Sequence, residues 1–273
     1  MEFRTVVDIP KLAFQIEPCE EILLVGSCFA DSIGQRFKDE KFHATVNPFG
    51  VMYNPASILH TIERLDNVSN VKTAFFTLGT NHIYRLKETG EIVDNCQKRP
   101  QSLFTEEELT VDECADYLQR AIDILRQHNP NIRIVLTVSP IRYRKYGYQG
   151  SQLSKATLLL AVQKVISHLS PLRSHLLIYF PAYEIINDEL RDYRFYAEDM
   201  LHPSSQAVEY IWQRLSEVYF SDEAKAFVRE WQPLRKALNH KPFNLDSEEY
   251  RMFIDKTMLK IAELRKKYPN FAL

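Results

Sequence analysis

The sequence predicts a doubly wound, three-layer α/β fold. Short apolar runs alternate with amphipathic helical patterns five times along the chain. The runs lack strict in–out alternation, as strands do when helices cover both faces of a parallel sheet. Only 7 glycines occur in 273 residues, and Gly26, Gly50 and Gly79 each fall at or just past the end of such a run. That is where an α/β protein places its working loops.

The strands are expected at "EILLV" (21–25), "HATVN" (43–47), "KTAFFTL" (72–78), "IRIVLTV" (132–138) and "HLLIYF" (175–180). Helices are expected at about 29–39, 55–66, 111–128, 152–169 and 204–219. Leu118, Ile122 and Leu125 show the spacing, as do Leu158, Val162, Val165 and Leu169. Right-handed crossovers put every strand C-terminus on one edge. Residues 1–220 form this domain. Within it, residues 83–110 are longer than an ordinary strand–helix connection and carry a small hairpin around Gly90, which makes them a candidate lid. Residues 221–273 read as two amphipathic helices separated by "NHKPFNLD", the second capped by Asp246-Ser247. They are expected to pack on the domain or to form a homodimer contact.

Composition excludes several classes. The net charge of −2 gives no global electrostatic case for nucleic acid or anionic membrane. The basic runs "RYRKY" (142–146) and "LRKK" (264–267) are expected to be solvated faces. No segment approaches the roughly 18 apolar residues of a membrane span. The first residues lack a basic segment followed by an apolar core, so a cytoplasmic protein is expected. Cys19, Cys28, Cys96 and Cys114 are scattered without metal-ligand spacing. Free thiols, no metal and no cofactor are therefore expected.

The chemistry gathers at the predicted sheet edge. In "AEDMLHPSSQA" (197–207), Asp199 stands three residues before His202, with Pro203 opening a helix. A carboxylate at that spacing can orient an imidazole that acts as general base. Asn81, after "FFTLGT", can donate to an oxyanion, and Gly50 of "NPFG" can offer an unhindered N–H. "LLVGSCFA" ends the first strand with two adjacent nucleophile candidates, Ser27 and Cys28. Ser154 and Lys155 are expected to open the fourth helix, where an anion could sit. Arg191 to Arg194 could bind an acidic or sugar substrate or pair among themselves. Cys96 beside Lys98 is either a reactive or a structural thiol.

These motifs together resemble the GSCFA-domain proteins of the SGNH (GDSL-type) hydrolase superfamily. The pentapeptide stands here as Gly26-Ser27-Cys28-Phe29-Ala30. "NPFGVMYNP" (47–55), "TLGT" (77–80), "TVSPIR" (137–142), "QLSKATLLLA" (152–161), "DELRDYRFY" (188–196) and "DMLHP" (199–203) extend the likeness over roughly residues 20 to 243. The resemblance implies a flavodoxin-like α/β/α sandwich and an esterase, such as a carbohydrate O-deacetylase, with a nucleophile-His-Asp triad. On that pattern Gly50 and Asn81 form the oxyanion hole, and Asp199 and His202 the last block. The chain departs where the superfamily has Gly-Asp-Ser. Strand counting places Cys28 at the serine position, while a shift of one residue makes Ser27 the nucleophile. In a third reading neither reacts, and the site only binds a carbohydrate or acyl group. His82 replaces a frequent aspartate and either contacts substrate or packs under the insertion; Arg142 is a substrate-binding candidate.

Overall fold

The computed structural model describes residues 3–11, 14–94, 96, 99–167, 176–244 and 247–271. The chain runs β1 (Glu21–Gly26), α1 (Cys28–Asp39), β2 (His43–Val46), α2 (Pro55–Glu63), β3 (Thr73–Leu78), β4 (His82–Leu86), β5 (Ile92–Val93) and β6 (Phe104–Glu108). It continues through α3 (Val111–His128), β7 (Arg133–Val138), α4 (Gly147–Ser167), β8 (Leu177–Tyr179), α5 (Ala182–Glu184) and α6 (Ser205–Tyr219). Two further helices, α7 (Asp222–Leu238) and α8 (Glu248–Lys267), end it. Strands β2-β1-β3-β7-β8 form one sheet, every neighbouring pair parallel.

Period-two geometry sorts the strand residues between the two faces. Leu23, Val25, Ala74, Phe76, Ile134 and Leu136 join α2, α3 and α4 in one core. Ile22, Leu24, Phe75 and Val135 join α1 and α6 in the other. In the second core Phe37 meets Phe42, Trp212 and Phe220 at ring-centroid distances of 4.8–6.0 Å. Truncating such a buried aromatic to Ala costs about 3–5 kcal/mol.

Local signals explain the boundaries. Thr110 and Glu113 form a reciprocal capping box that starts α3 where the periodicity begins. Helix α4 starts at Gly147, five residues before its expected start, because "GYQGS" has no apolar repeat to announce it. Ser204 caps α6, so Pro203 lies outside the helix and bridges to Tyr196. The insertion is a second, antiparallel sheet in the order β5-β4-β6. "FTEEE" hides strand β6 from a search for apolar runs, since four of its five residues are exposed.

Only Phe220 and Ser221 separate α6 from α7, and Ser221 caps the latter. Phe227, Trp231 and Leu234 of α7 pack with Ile261 and Leu264 of α8 and with Tyr268, Phe271 and Cys19. Trp231 Nε1 donates to Asp39 O at 2.7 Å, and Arg235 pairs with Glu40 at 2.7 Å. The extension therefore packs beside the sheet edge where strands begin, opposite their C-termini. Ser247 caps α8; Asp246 lies outside the described residues. Among the described residues no helix is long and apolar enough to cross a membrane.

Candidate active site

Strand β1 delivers its loop through a tight exit. Gly26 has φ +142°, and a Cβ there would stand 2.2 Å from Thr77 O, so no side chain fits. Its N–H donates to Asn47 Oδ1 at 2.8 Å, while Asn47 Nδ2 donates to Asp31 at 2.7 Å. The next residue, Ser27, is 0% exposed. Its N–H donates to Thr77 O at 2.9 Å, and its hydroxyl lies 3.1 Å from Thr77 Oγ1. That hydroxyl also accepts from Phe29 N, which makes Ser27 the N-cap of α1.

Cys28 is partly exposed as the first residue of α1. Its N–H is among those that a helix N-terminus leaves free. Its Sγ lies 3.8 Å from Tyr53 Oη. Burial, followed by the neighbouring Cys28, pushes the Tyr53 phenol up to about 12, so it stays protonated. A second phenol stands behind it. Tyr143 meets Tyr53 edge-on at 6.1 Å between centroids, and its buried Oη has no hydrogen-bond partner. Burial raises the Tyr143 phenol well above its ordinary value. Gly79 makes the room: a Cβ there would meet Tyr143 Oη at 2.3 Å.

Asp199 and His202 form one unit before α6. Asp199 Oδ2 lies 2.5 Å from His202 Nδ1, and Oδ1 accepts from the N–H groups of Leu201 (2.9 Å) and His202 (3.0 Å). Those backbone donors, with the imidazole after them, hold the Asp199 carboxyl down at about 2. The pairing leaves His202 Nε2 without a protein partner among the described residues. Arg142 pins the same loop: its N–H donates to Leu201 O at 3.0 Å and its Nη1 to Met200 O at 3.1 Å. Its guanidinium lies between the rings of Tyr148 and Tyr196, 4.4 and 5.2 Å from their centroids. Cys28 Sγ and His202 are not hydrogen-bonded to each other.

The expected oxyanion donors have other partners. Gly50 is exposed with open space beside it, and its N–H closes a turn on Asn47 O at 2.8 Å. Asn81 is 2% exposed and donates from Nδ2 to Leu109 O at 2.8 Å. One amide proton remains. His82 is buried, stacked on Tyr146 at 3.6 Å with 4° between planes. Its Nδ1 is 3.6 Å from Glu106, and burial lowers its pKa.

Lys155 does not open α4 but lies inside it, buried. Its Nζ donates to Gly79 O (2.6 Å) and Ser139 O (2.7 Å), tying the ends of β3 and β7 together. Burial brings its ammonium down to about 7. Ser154 beside it donates to or accepts from Thr80 Oγ1 and accepts from Asn81 N, both at 3.0 Å. Burial raises the Cys96 thiol, which argues against ready ionisation; Lys98 lies outside the described residues. Sequence reasoning missed Tyr53, Tyr143 and the strut made by Lys155. Tyr53 sits within "NPFGVMYNP" and Tyr143 within "RYRKY", and the only signal for either was its place just beyond a strand end.

The parallel sheet, its two helical layers and the edge that gathers these loops define the SGNH hydrolase class of fold. The chain belongs to the GSCFA family: its profile matches residues 21–73 and 66–215, and the profile of the GSCFA domain protein C-terminal domain matches 231–273. No curated protein matches the sequence. Among solved structures, the chain is similar to a candidate platelet activating factor from Streptococcus pneumonia. That match has 18% identity and a TM-score of 0.50, and covers 75% of this chain and 85% of the other. A candidate GDSL-like lipase from Parabacteroides merdae matches at 13% identity and TM-score 0.48, covering 77% and 100%. A family 3 carbohydrate esterase from Clostridium thermocellum matches at 14% identity and TM-score 0.42, covering 77% and 98%. Identities this low speak to the fold alone.

Proposed function

We propose that this protein hydrolyses an ester, with Cys28 as nucleophile, His202 as general base and Asp199 as its orienter. One observation carries the assignment of the nucleophile. Of the two adjacent candidates, Ser27 is buried and holds the helix cap, whereas Cys28 is accessible with a free backbone N–H. His202 stands before α6, which packs beside α1 through Arg36 and Glu209 at 3.0 Å. The Arg142 N–H, just beyond the end of β7, also holds Leu201 O beside His202 at 3.0 Å, so the His202 loop lies at the sheet edge where β1 delivers Cys28.

In this reading His202 Nε2 takes the thiol proton as Sγ bonds to the ester carbonyl carbon. The carbonyl oxygen becomes an oxyanion that accepts from the Cys28 N–H and from Tyr53 Oη. Collapse breaks the ester C–O bond, and His202 returns the proton to the departing alcohol. Water, deprotonated by His202, then releases the acid from the thioester and restores the thiol. Tyr53 takes the donor place because the Gly50 N–H and one Asn81 amide proton are already engaged. The remaining Asn81 proton is a further donor. In this reading the alcohol is a carbohydrate or another small molecule, and O-deacetylation is one such reaction.

A binding-only role has one observation in its favour: no hydrogen bond joins Cys28 and His202. Catalytic hydrogen bonds often close only when substrate binds, so turnover decides. Wild type is expected to hydrolyse short-chain p-nitrophenyl esters. Cys28→Ala and His202→Ala should each lose about 10⁴-fold while staying folded. Unchanged rates in either variant would sink the mechanism; no turnover by wild type of any acyl ester favours the binding role.

A further inference from the structure

We infer that the cavity beside the His202 loop is a binding subsite for an anionic sugar, the alcohol portion of the substrate; this rests on the hydrolase reading for its role, though not for its existence. The cavity is about 270 Å³ and is lined by Arg142, Gln152, Asn187, Arg191, Tyr193 and Tyr196, among others. That volume is close to the lower end of small-molecule pockets, about 300 Å³. It suits one sugar ring.

Charge gives the ligand its sign. Neither Arg142 nor Arg191 has a carboxylate within ion-pair distance among the described residues. The acid on the rim, Asp192, is already engaged by Arg194, through its backbone N–H at 2.9 Å and its Nε at 3.6 Å. Two arginines thus line one cavity without a carboxylate partner among the described residues, Arg142 with one nitrogen given to Met200 O and Arg191 the freer of the two. Guanidinium is the side chain best matched to carboxylate or phosphate. Tyr183 engages Gln152 Oε1 and Asn187 Nδ2, which leaves Gln152 Nε2 and Asn187 Oδ1 to meet hydroxyl groups, and Tyr193, 69% exposed, offers a ring face.

The backbone is unusual at the same place. Ile185–Leu190 is a π-helix, and Arg191 follows it in the left-handed conformation at φ +42°. Both features carry a conformational cost and gather at functional sites. Here they turn Asn187 and Arg191 to one cavity. Arg142 joins that cavity to the chemistry, since it also holds the carbonyls of Met200 and Leu201 beside His202.

The test is a titration of folded Cys28→Ala protein, which cannot turn over, with glucuronate, glucose 6-phosphate and glucose at low salt, followed by chemical-shift perturbation. At least one anionic sugar is expected to bind ten or more times tighter than glucose, with shifts at Tyr193 and Arg191. Preference for glucuronate assigns the site to a carboxylate, and preference for glucose 6-phosphate to a phosphate. Introducing Arg191→Gln should abolish the preference, and Arg191→Lys should keep part of it. Equal binding of all three sugars, or a preference that survives Arg191→Gln, overturns the subsite. An anion preference in a chain whose wild type hydrolyses no ester would leave the subsite standing and remove the hydrolase reading. Cysteine-dependent turnover without an anion preference would do the reverse.

Discussion

The two edges of the central sheet are built on opposite principles. At the edge where strands begin, charges neutralise one another. Arg133 pairs with Glu20, which also accepts from Thr73 Oγ1 at 2.6 Å. Glu40 sits between Arg36 (3.1 Å) and Arg235 (2.7 Å). At the edge where strands end, groups capable of chemistry gather: the accessible Cys28 thiol with its backbone N–H, His202 Nε2 and, among the described residues, two arginines without a carboxylate partner. Cavity size points the other way, because a larger cavity of about 900 Å³ lies at the starting edge, lined by Glu20, His43 and Arg133 among others. The grouping of a thiol, an imidazole paired with a carboxylate, and phenols, not volume, marks the working edge.

Perturbing each edge should therefore move different quantities. Beyond the nucleophile and the base themselves, the largest effect is expected from Tyr53→Phe, which removes one proposed oxyanion donor and keeps the ring. Turnover of a short acyl ester should fall by about 10²–10³-fold, with an unfolding midpoint close to wild type. A fall in stability without a fall in turnover would make Tyr53 a packing residue.

Arg133→Ala should do the converse. It leaves the carboxylate of Glu20 buried without its guanidinium, and breaking such a pair costs about 3 kcal/mol. Urea unfolding should register that loss while kcat stays within about twofold. A large change in kcat would show that the two edges are coupled.

Lys155 gives the smallest and most specific signal. Its ammonium is near 7 in the folded protein, against about 10.4 in an unfolded chain. Between those values the unfolded chain binds a proton that the folded one does not, so stability rises with pH through this window. Below about pH 7 both states are protonated and the dependence disappears. Relative to Lys155→Met, wild type should gain about 1 kcal/mol per pH unit from pH 7.5 to 9 in urea titrations. Parallel curves would mean that the buried amine keeps its proton.

The fold was legible because its signals are local and redundant. Strands β1, β3, β7 and β8 carry apolar residues on both faces, and α3 carries its own capping box, so those spans were readable to within a residue or two. Strand counting put Cys28 at the nucleophile position but left Ser27 open, because a shift of one residue exchanges the two and only burial separates them. Burial there depends on Thr77, fifty residues away. Tyr53 and Tyr143 were missed for a related reason: a tyrosine just past a strand is as often a packing residue as a donor. The π-helix at Ile185–Leu190 has no sequence period of its own, so the cavity it shapes was visible only as the polar run before Asp199.

The central claim is that Cys28, not Ser27, carries the acyl group. Intact-mass and peptide mass spectrometry after rapid acid quench of the protein with an activated acyl ester tests it most directly. The expected result is one acyl group, held as a hydroxylamine-sensitive thioester on the peptide bearing Cys28 and lost in Cys28→Ala. An acyl group on Ser27 that persists in Cys28→Ala would contradict it.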